Sequence, residues 1–183
     1  DVEEGSVEQL TDDRWTQLHP TYSPDGSVVA FSTDEGEASS LGELDFGELG
    51  LGFLDLESGE RTVRRPFSAG KHMDPAWSPD GSSLYFISDR DGFSDIYRYS
   101  LERESVRRVT RVATGVSGVT ALSPALTVAR EGGEVLFTVF RDGGYQIRRF
   151  DAQESRGRPV ERIARAAEDA GTLPPRDLQP PRW

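Results

Sequence analysis

The chain contains no cysteine, which excludes disulfides, thiolate catalysis and Cys-ligated zinc together and leaves the redox compartment open. Histidine is scarce: His19 and His72 are the two in 183 residues, too few for a His-rich metal centre. Lysine is nearly missing, so arginine supplies 20 of the 21 basic side chains. No apolar run approaches the roughly 18–20 residues of a membrane helix, and no segment reads as one. Methionine occurs once, at Met73, and the chain begins at Asp1. A primary translation product begins with Met, so the sequence reads as a processed chain or a segment of a longer one, and the lack of a leader says nothing about secretion.

What is present is acid. There are 32 Asp and Glu for a net charge of −11, a balance that argues against nonspecific binding to nucleic acid or anionic lipid. Residues 1–60 hold 16 of those carboxylates against one base, Arg14, a net of −15; residues 61–183 carry +4. This polarity is the first indication of a partner surface. With 35% hydrophobic and 9% aromatic residues the chain has the means to fold.

A repeat organises it. Pro20-Thr21-Tyr22-Ser23-Pro24-Asp25-Gly26 returns 55 positions later as Pro75-Ala76-Trp77-Ser78-Pro79-Asp80-Gly81, and a decayed third copy begins at Leu122-Ser123-Pro124. Proline presets φ, Asp accepts local backbone hydrogen bonds and Gly supplies positive φ, so the heptad specifies a tight turn. The aromatic before it is expected to be an inward anchor between adjacent sheets. Each copy is followed by strand-like runs: 27–33, 82–88 and 134–140, then 52–56, 95–101 and 145–150, then 61–67, 105–110 and 159–164. Ser6–Thr11 (SVEQLT) reads as the fourth strand of an earlier unit. Four antiparallel strands every 45–55 residues is the pattern of a β-propeller blade.

Pro-x-Trp-Ser-Pro-Asp-Gly, a β-run and then Ser-Asp-Arg-Asp-Gly-x-x-Asp-Ile-Tyr resemble the repeat of TolB-type β-propellers, and related blades occur in the noncatalytic propellers of prolyl-oligopeptidase-like enzymes. The resemblance covers about residues 6–164 and is densest over 74–110; the third copy departs from it, with Leu122 for the aromatic and Ala125-Leu126 for Asp-Gly. The expected fold is all-β: about three four-stranded blades forming an open or partial propeller, with an extended Pro-rich C-terminal tail. The expected divisions are an N-terminal segment over 1–18, blade 1 over 19–71 with an acidic insert at 34–51, blade 2 over 72–118, a degenerate blade 3 over 119–164, and a short helix with a Pro-rich tail over 165–183. The exposed edges of such an arc are expected to be covered.

Three features invite chemistry. Asp89, Asp91 and Asp95 crowd one turn, which suits either a hard cation such as Ca²⁺ or simply a hairpin; the hairpin reading leads, because Asp-Gly recurs at Asp142-Gly143. His19 before Pro20, and His72 near Asp74-Pro75, could suggest acid–base work, but their places at the entrance to repeat strands argue for structure. No nucleophile, base and orienter can be assembled, and no Gly-x-Ser-x-Gly elbow exists, so the chain reads as noncatalytic and without a cofactor. The arginine pairs Arg107-Arg108 and Arg148-Arg149 read as solvated blade edges.

The insert offers a docking loop, with Leu41, Leu44, Phe46, Leu49 and Leu51 as apolar anchors among Glu43, Asp45 and Glu48; Trp183 in the tail is a second candidate anchor. The resemblance implies a protein-binding or scaffold module of a bacterial cell envelope, on the periplasmic side, with protein partners such as the subunits of a membrane complex. The alternative is the substrate-gating propeller of a prolyl-oligopeptidase-like hydrolase whose catalytic domain lies elsewhere. A calcium-stabilised structural protein is a third reading.

Overall fold

A computed structural model of the chain describes residues 5, 7–36, 39, 47–120 and 123–160. Strands β1 (Gln17–Tyr22), β2 (Val28–Thr33), β3 (Gly50–Asp55) and β4 (Arg61–Arg64) make one antiparallel sheet in chain order. A second sheet contains β5 (Met73–Trp77), β6 (Ser83–Ser88), β7 (Asp95–Ser100) and β8 (Ser105–Arg108). A third holds β9 (Leu126–Val128), β10 (Val135–Arg141) and β11 (Gly144–Phe150). The first strands β1, β5 and β9 stand side by side, so the three sheets are consecutive blades of an open propeller.

The heptad builds its turn from its own side chains. Ser23 Oγ donates to Asp25 Oδ1 (2.6 Å), which also accepts from the Ser27 N–H (3.1 Å) and the Ser27 hydroxyl (2.8 Å). Ser78, Asp80 and Ser82 repeat the set at 2.6, 3.0 and 2.9 Å. Gly26 (φ 77°) and Gly81 (φ 69°) take the left-handed conformation that the turn demands. These acceptor bonds favour the ionised carboxylates: the Ser23 hydroxyl, first among its donors, holds Asp25 at about 2, and Asp80 is lowered for the same reason.

The blades stack face to face, and strand alternation divides their side chains. From β6, Leu84 and Phe86 point into a cluster with Ala30, Leu51 and Phe67 of blade 1. Tyr85 and Ile87 point the opposite way, against Leu126, Val135, Phe137 and Val139 of blade 3. Every residue of β6 is therefore buried, without the polar alternation usual in an antiparallel strand. Trp77 seals the first interface edge-on to Phe53 (6.0 Å between centroids), its indole N–H donating to Thr21 O (3.3 Å). Tyr22 holds the same repeat position yet is 62% exposed, because no sheet precedes blade 1 among the described residues; the expected inward anchor is realised in Trp77 alone of the two.

Other expectations are corrected. Residues 7–12 form no strand. The stretch expected as the fourth strand of blade 3 instead begins as β12 (Arg158–Pro159), which crosses back after a 3₁₀ turn (Glu154–Arg156) to pair with β8, adding a fifth strand to blade 2. Gly157 makes that crossing possible: a Cβ there would lie 2.6 Å from Arg108 O. The third heptad is also displaced. Val128 pairs with Val135, and the Ala129 N–H donates to Glu134 O, as Trp77 pairs with Leu84 and the Ser78 N–H donates to Ser83 O. The true counterpart of Trp77-Ser78 is thus Val128-Ala129, six positions after Leu122-Ser123, and its turn is carried by Gly132-Gly133 without the Pro-Asp pair. Leu122, residues 161–164 and the helix expected over 165–170 lie outside the described residues.

His72 sits at the junction of blades 1 and 2, stacked on Phe86 (5.4 Å). Its Nδ1–H donates to Leu49 O (2.8 Å) and its Nε2 accepts from the Phe67 N–H (3.2 Å), so a second proton would face a donor. Burial accordingly lowers its pKa below 6.5.

Two acid limbs are expected. The unfolded chain takes up a proton on His72 that the folded state resists, so stability falls as pH drops below 6.5, by at most about 1.4 kcal/mol per pH unit for one proton. His72→Gln flattens that limb in urea titrations run at successive pH values. Asp25 and Asp80 have depressed folded pKa values, so their contribution is intact above 3.8 and fades as pH falls through the folded values, about 2 for Asp25. Asp25→Asn with Asp80→Asn diminishes this second loss.

Candidate axial site

The first strands β1 and β5 carry the same irregularity, a register shift between Leu18 and Thr21 and between Met73 and Ala76. At these bulges lie His19 (φ 54°) and Asp74 (φ 51°), each just before a proline. A left-handed backbone costs a non-glycine residue on the order of 1 kcal/mol or more, so something in the fold must offset it twice. The bulges turn the two side chains toward each other across the blade boundary: His19 Nδ1 lies 3.1 Å from Asp74 Oδ1, with the side chains 6% and 0% exposed.

Both residues also reach blade 3. His19 Nε2 is 2.6 Å from Thr120 O, and Asp74 Oδ2 accepts from the Ala125 N–H (2.8 Å). By the register of β9, Ala125 occupies in blade 3 the place of Asp74 in blade 2. One repeat position thus links three blades in series, His19 to Asp74 to Ala125. A carbonyl only accepts, so the hydrogen between His19 Nε2 and Thr120 O is the imidazole's. Burial raises the Asp74 pKa, opposed by the Ala125 N–H and by His19. In a hydrolytic triad the second imidazole nitrogen would face a hydroxyl; here it is bound to a main-chain oxygen. His19 also lines two open clefts of about 350 and 430 Å³.

The acidic turn of blade 2 is organised around an arginine. Asp91 Oδ2 accepts from Arg108 (3.1 Å) and from the Tyr97 hydroxyl (3.2 Å). Asp95, its side chain wholly buried, accepts from Arg108, from Thr110 Oγ1 (2.9 Å) and from the Val112 N–H (2.9 Å). Burial raises the Asp95 pKa against these donors. Asp89 turns away to the Lys71 N–H (2.8 Å). The three carboxylates expected as candidate calcium ligands therefore do not converge, and no group of three His, Asp or Glu among the described residues is placed to hold a metal. Arg108, expected at a solvated edge, is the half-buried counter-ion of the turn; Arg107 instead donates to the main chain at Arg156 and Gly157.

Of the docking residues expected in the insert, Leu41, Glu43, Leu44, Asp45 and Phe46 lie outside the described residues, as does Trp183. Glu48 is exposed. Leu49 is half-buried, and its carbonyl accepts from both the N–H and the Nδ1–H of His72. Leu51 is corrected from anchor to core, wholly buried in β3.

Sequence reasoning considered His19 and Asp74 separately and missed the pair. The available signal was the repeat: the two positions are 55 apart, the same offset as Tyr22 and Trp77, so superposing the heptads stacks them.

No protein-family profile matches the chain. Among relatives, it is 33% identical over 101 residues to the uncharacterized peptidase YuxL of Bacillus subtilis, covering 54% of this chain and 14% of that protein. It is 28% identical over 143 residues to a TolB homolog of Chlorobium luteolum, covering 78% and 28%. Among solved structures, TolB from Acinetobacter baumannii superposes with a TM-score of 0.63 at 22% identity, over 84% of this chain and 34% of that one. The blades are similar to those of TolB in sequence and share their propeller fold. The chain spans between 14% and 34% of the length of these proteins.

The axial pair sets a stability expectation. Asp74→Ala leaves the Ala125 N–H without its acceptor and the His19 Nδ1 without its charged neighbour in a buried place, and is expected to cost about 2–4 kcal/mol in urea unfolding. Asp74→Asn retains an acceptor for Ala125 and a side chain tolerant of positive φ, and is expected to cost less than half as much.

Proposed function

We propose that this chain is a noncatalytic protein-binding segment of a TolB-like propeller, working in a bacterial cell envelope on the periplasmic side as a subunit of a membrane-associated complex. The observation that supports it most is the extent of the TolB likeness, which runs across 78% of the chain and so through all three blades. The axial geometry agrees: the buried His19–Asp74 pair spends its polar atoms on linking blades. The partner surface in this reading is the acidic side of blade 1, with the insert residues Leu41, Glu43, Leu44, Asp45, Phe46, Glu48 and Leu49 steering and seating a basic protein, and Trp183 a second anchor.

A second reading is favoured by one observation, the 33% identity to a protein named as a peptidase: a propeller that gates substrate to a separate catalytic domain of prolyl-oligopeptidase type. Capture from solubilised bacterial envelopes separates the two. The first reading expects envelope proteins retained at low salt and released at about 1 M, where screening extends only a few ångströms. It fails if nothing is retained at either salt. Labelling of the intact gene product by a serine-directed fluorophosphonate would favour the hydrolase.

A further inference from the structure

Blade 3 lacks, among the described residues, the strand that completes the other two: β3 is covered by β4 and β7 by β8, whereas β11 pairs on one side alone, with β10. The chain that could have filled this place crosses to β8 instead, as β12. The uncovered face is apolar: Tyr145 is 69% exposed, Ile147 76% and Phe140 43%. Such an open edge offers a row of unpaired main-chain groups to an incoming strand.

The same chain carries a segment with the signature of the missing strand. Ser6-Val7-Glu8-Gln9-Leu10-Thr11 matches Ser105-Val106-Arg107-Arg108-Val109-Thr110, the run that holds β8, at Ser, Val and Thr, with Leu for Val at the fifth place. In and just after β8 these residues are at work: Val106 packs into the core between blades 1 and 2, the Val109 N–H donates to Ile96 O, and Thr110 is buried. In the N-terminal segment they are not: residues 7–12 join no sheet, Val7 is 96% exposed and Leu10 49%. Asp13 holds that segment to Arg61 at blade 1, and blade 2 stands between it and β11.

We infer that β11 receives residues 6–11 of a second copy of this chain, and that reciprocal exchange closes a two-fold dimer. Internal repetition sets the register. Leu84 faces Tyr99 and Tyr99 faces Val106 in blade 2; Val135 faces Phe150 in blade 3, so Val7 falls opposite Phe150. Arg107 faces Arg98, the counterpart of Arg149, so Glu8 falls opposite Arg149. The Val109 N–H bonds Ile96 O, the counterpart of Ile147, so Leu10 comes beside Ile147. Two exposed apolar residues thereby cover each other, and an acid meets a base where blade 2 tolerates two arginines. The charge of the donor end, −15 over residues 1–60, complements the +4 of the rest. An isologous contact of this kind is self-limiting, since each copy both gives and receives one strand.

Sedimentation velocity of the full chain tests this, with Glu8→Arg, Arg149→Glu and the double exchange. The wild type is expected to sediment as a dimer. Each reversal is expected to weaken dimerisation about 3- to 30-fold, from two symmetry-related cross-strand pairs, and the double exchange to restore it. Both side chains are exposed, so the variants are expected to keep the wild-type circular dichroism. A wild type that stays monomeric at every concentration overturns the inference, as does a dimer indifferent to the reversals or unrescued by the exchange.

Discussion

The packing of one blade's face on the next is the interaction on which the rest of this structure depends. A four-stranded blade has two faces and too few residues to bury either by itself, so its apolar side chains find shelter on neighbouring sheets. Blade 2 shows the consequence most fully: successive residues of β6 point alternately into blade 1 and blade 3, and none remains for solvent. At about 1.5–3 kcal/mol for each large apolar side chain removed from water, Leu84, Phe86, Tyr85 and Ile87 tie three sheets into one body. The terminal blades lack one neighbour each among the described residues, and Tyr22 and Ile147 mark the two ends with exposed apolar surface.

Polar contacts then fix how the faces meet. Apolar packing tolerates sliding, but a buried hydrogen bond loses much of its value when displaced by an ångström. His19, Asp74 and Ala125 provide such fixed points along the first strands, and His72 provides another between Leu49 and Phe67. The left-handed backbone at His19 and Asp74 is a local cost that aims both side chains inward, offset by bonds that form because of it. Arg108 plays the corresponding part for the turn of blade 2, joining Asp91 and Asp95 so that the wholly buried Asp95 side chain has a counter-ion.

Much of this was legible in the sequence wherever local chemistry carries the signal. The heptad announces its turn because Ser, Asp and Gly make that turn from within, and the second and third strands of each blade follow at predictable distances. What escaped is what depends on distant residues. Nothing near Asp95 reveals that Arg108 will reach it, and the carboxylates alone read as a hairpin turn or, second to that, a cation site. Blade 3 misled for a related reason: its turn is made by Gly132-Gly133 and main-chain bonds, while Ser123-Pro124 imitates the heptad six residues early. The crossing of β12 to β8 is equally nonlocal, requiring only that Gly157 carry no side chain against Arg108 O.

The axial series also explains why blade 3 can dispense with the motif that defines the other two. Its link to blade 2 at this position is the Ala125 main-chain N–H, which any residue but proline supplies, so neither a histidine nor an aspartate is required there. Its turn likewise rests on main-chain bonds from Ala129 and Gly133. A blade held by backbone groups and by the apolar face of Val135, Phe137 and Val139 keeps its place without the heptad. The sequence repeat fades there while the structural repeat continues, because the forces that place this blade are those that side-chain identity constrains least.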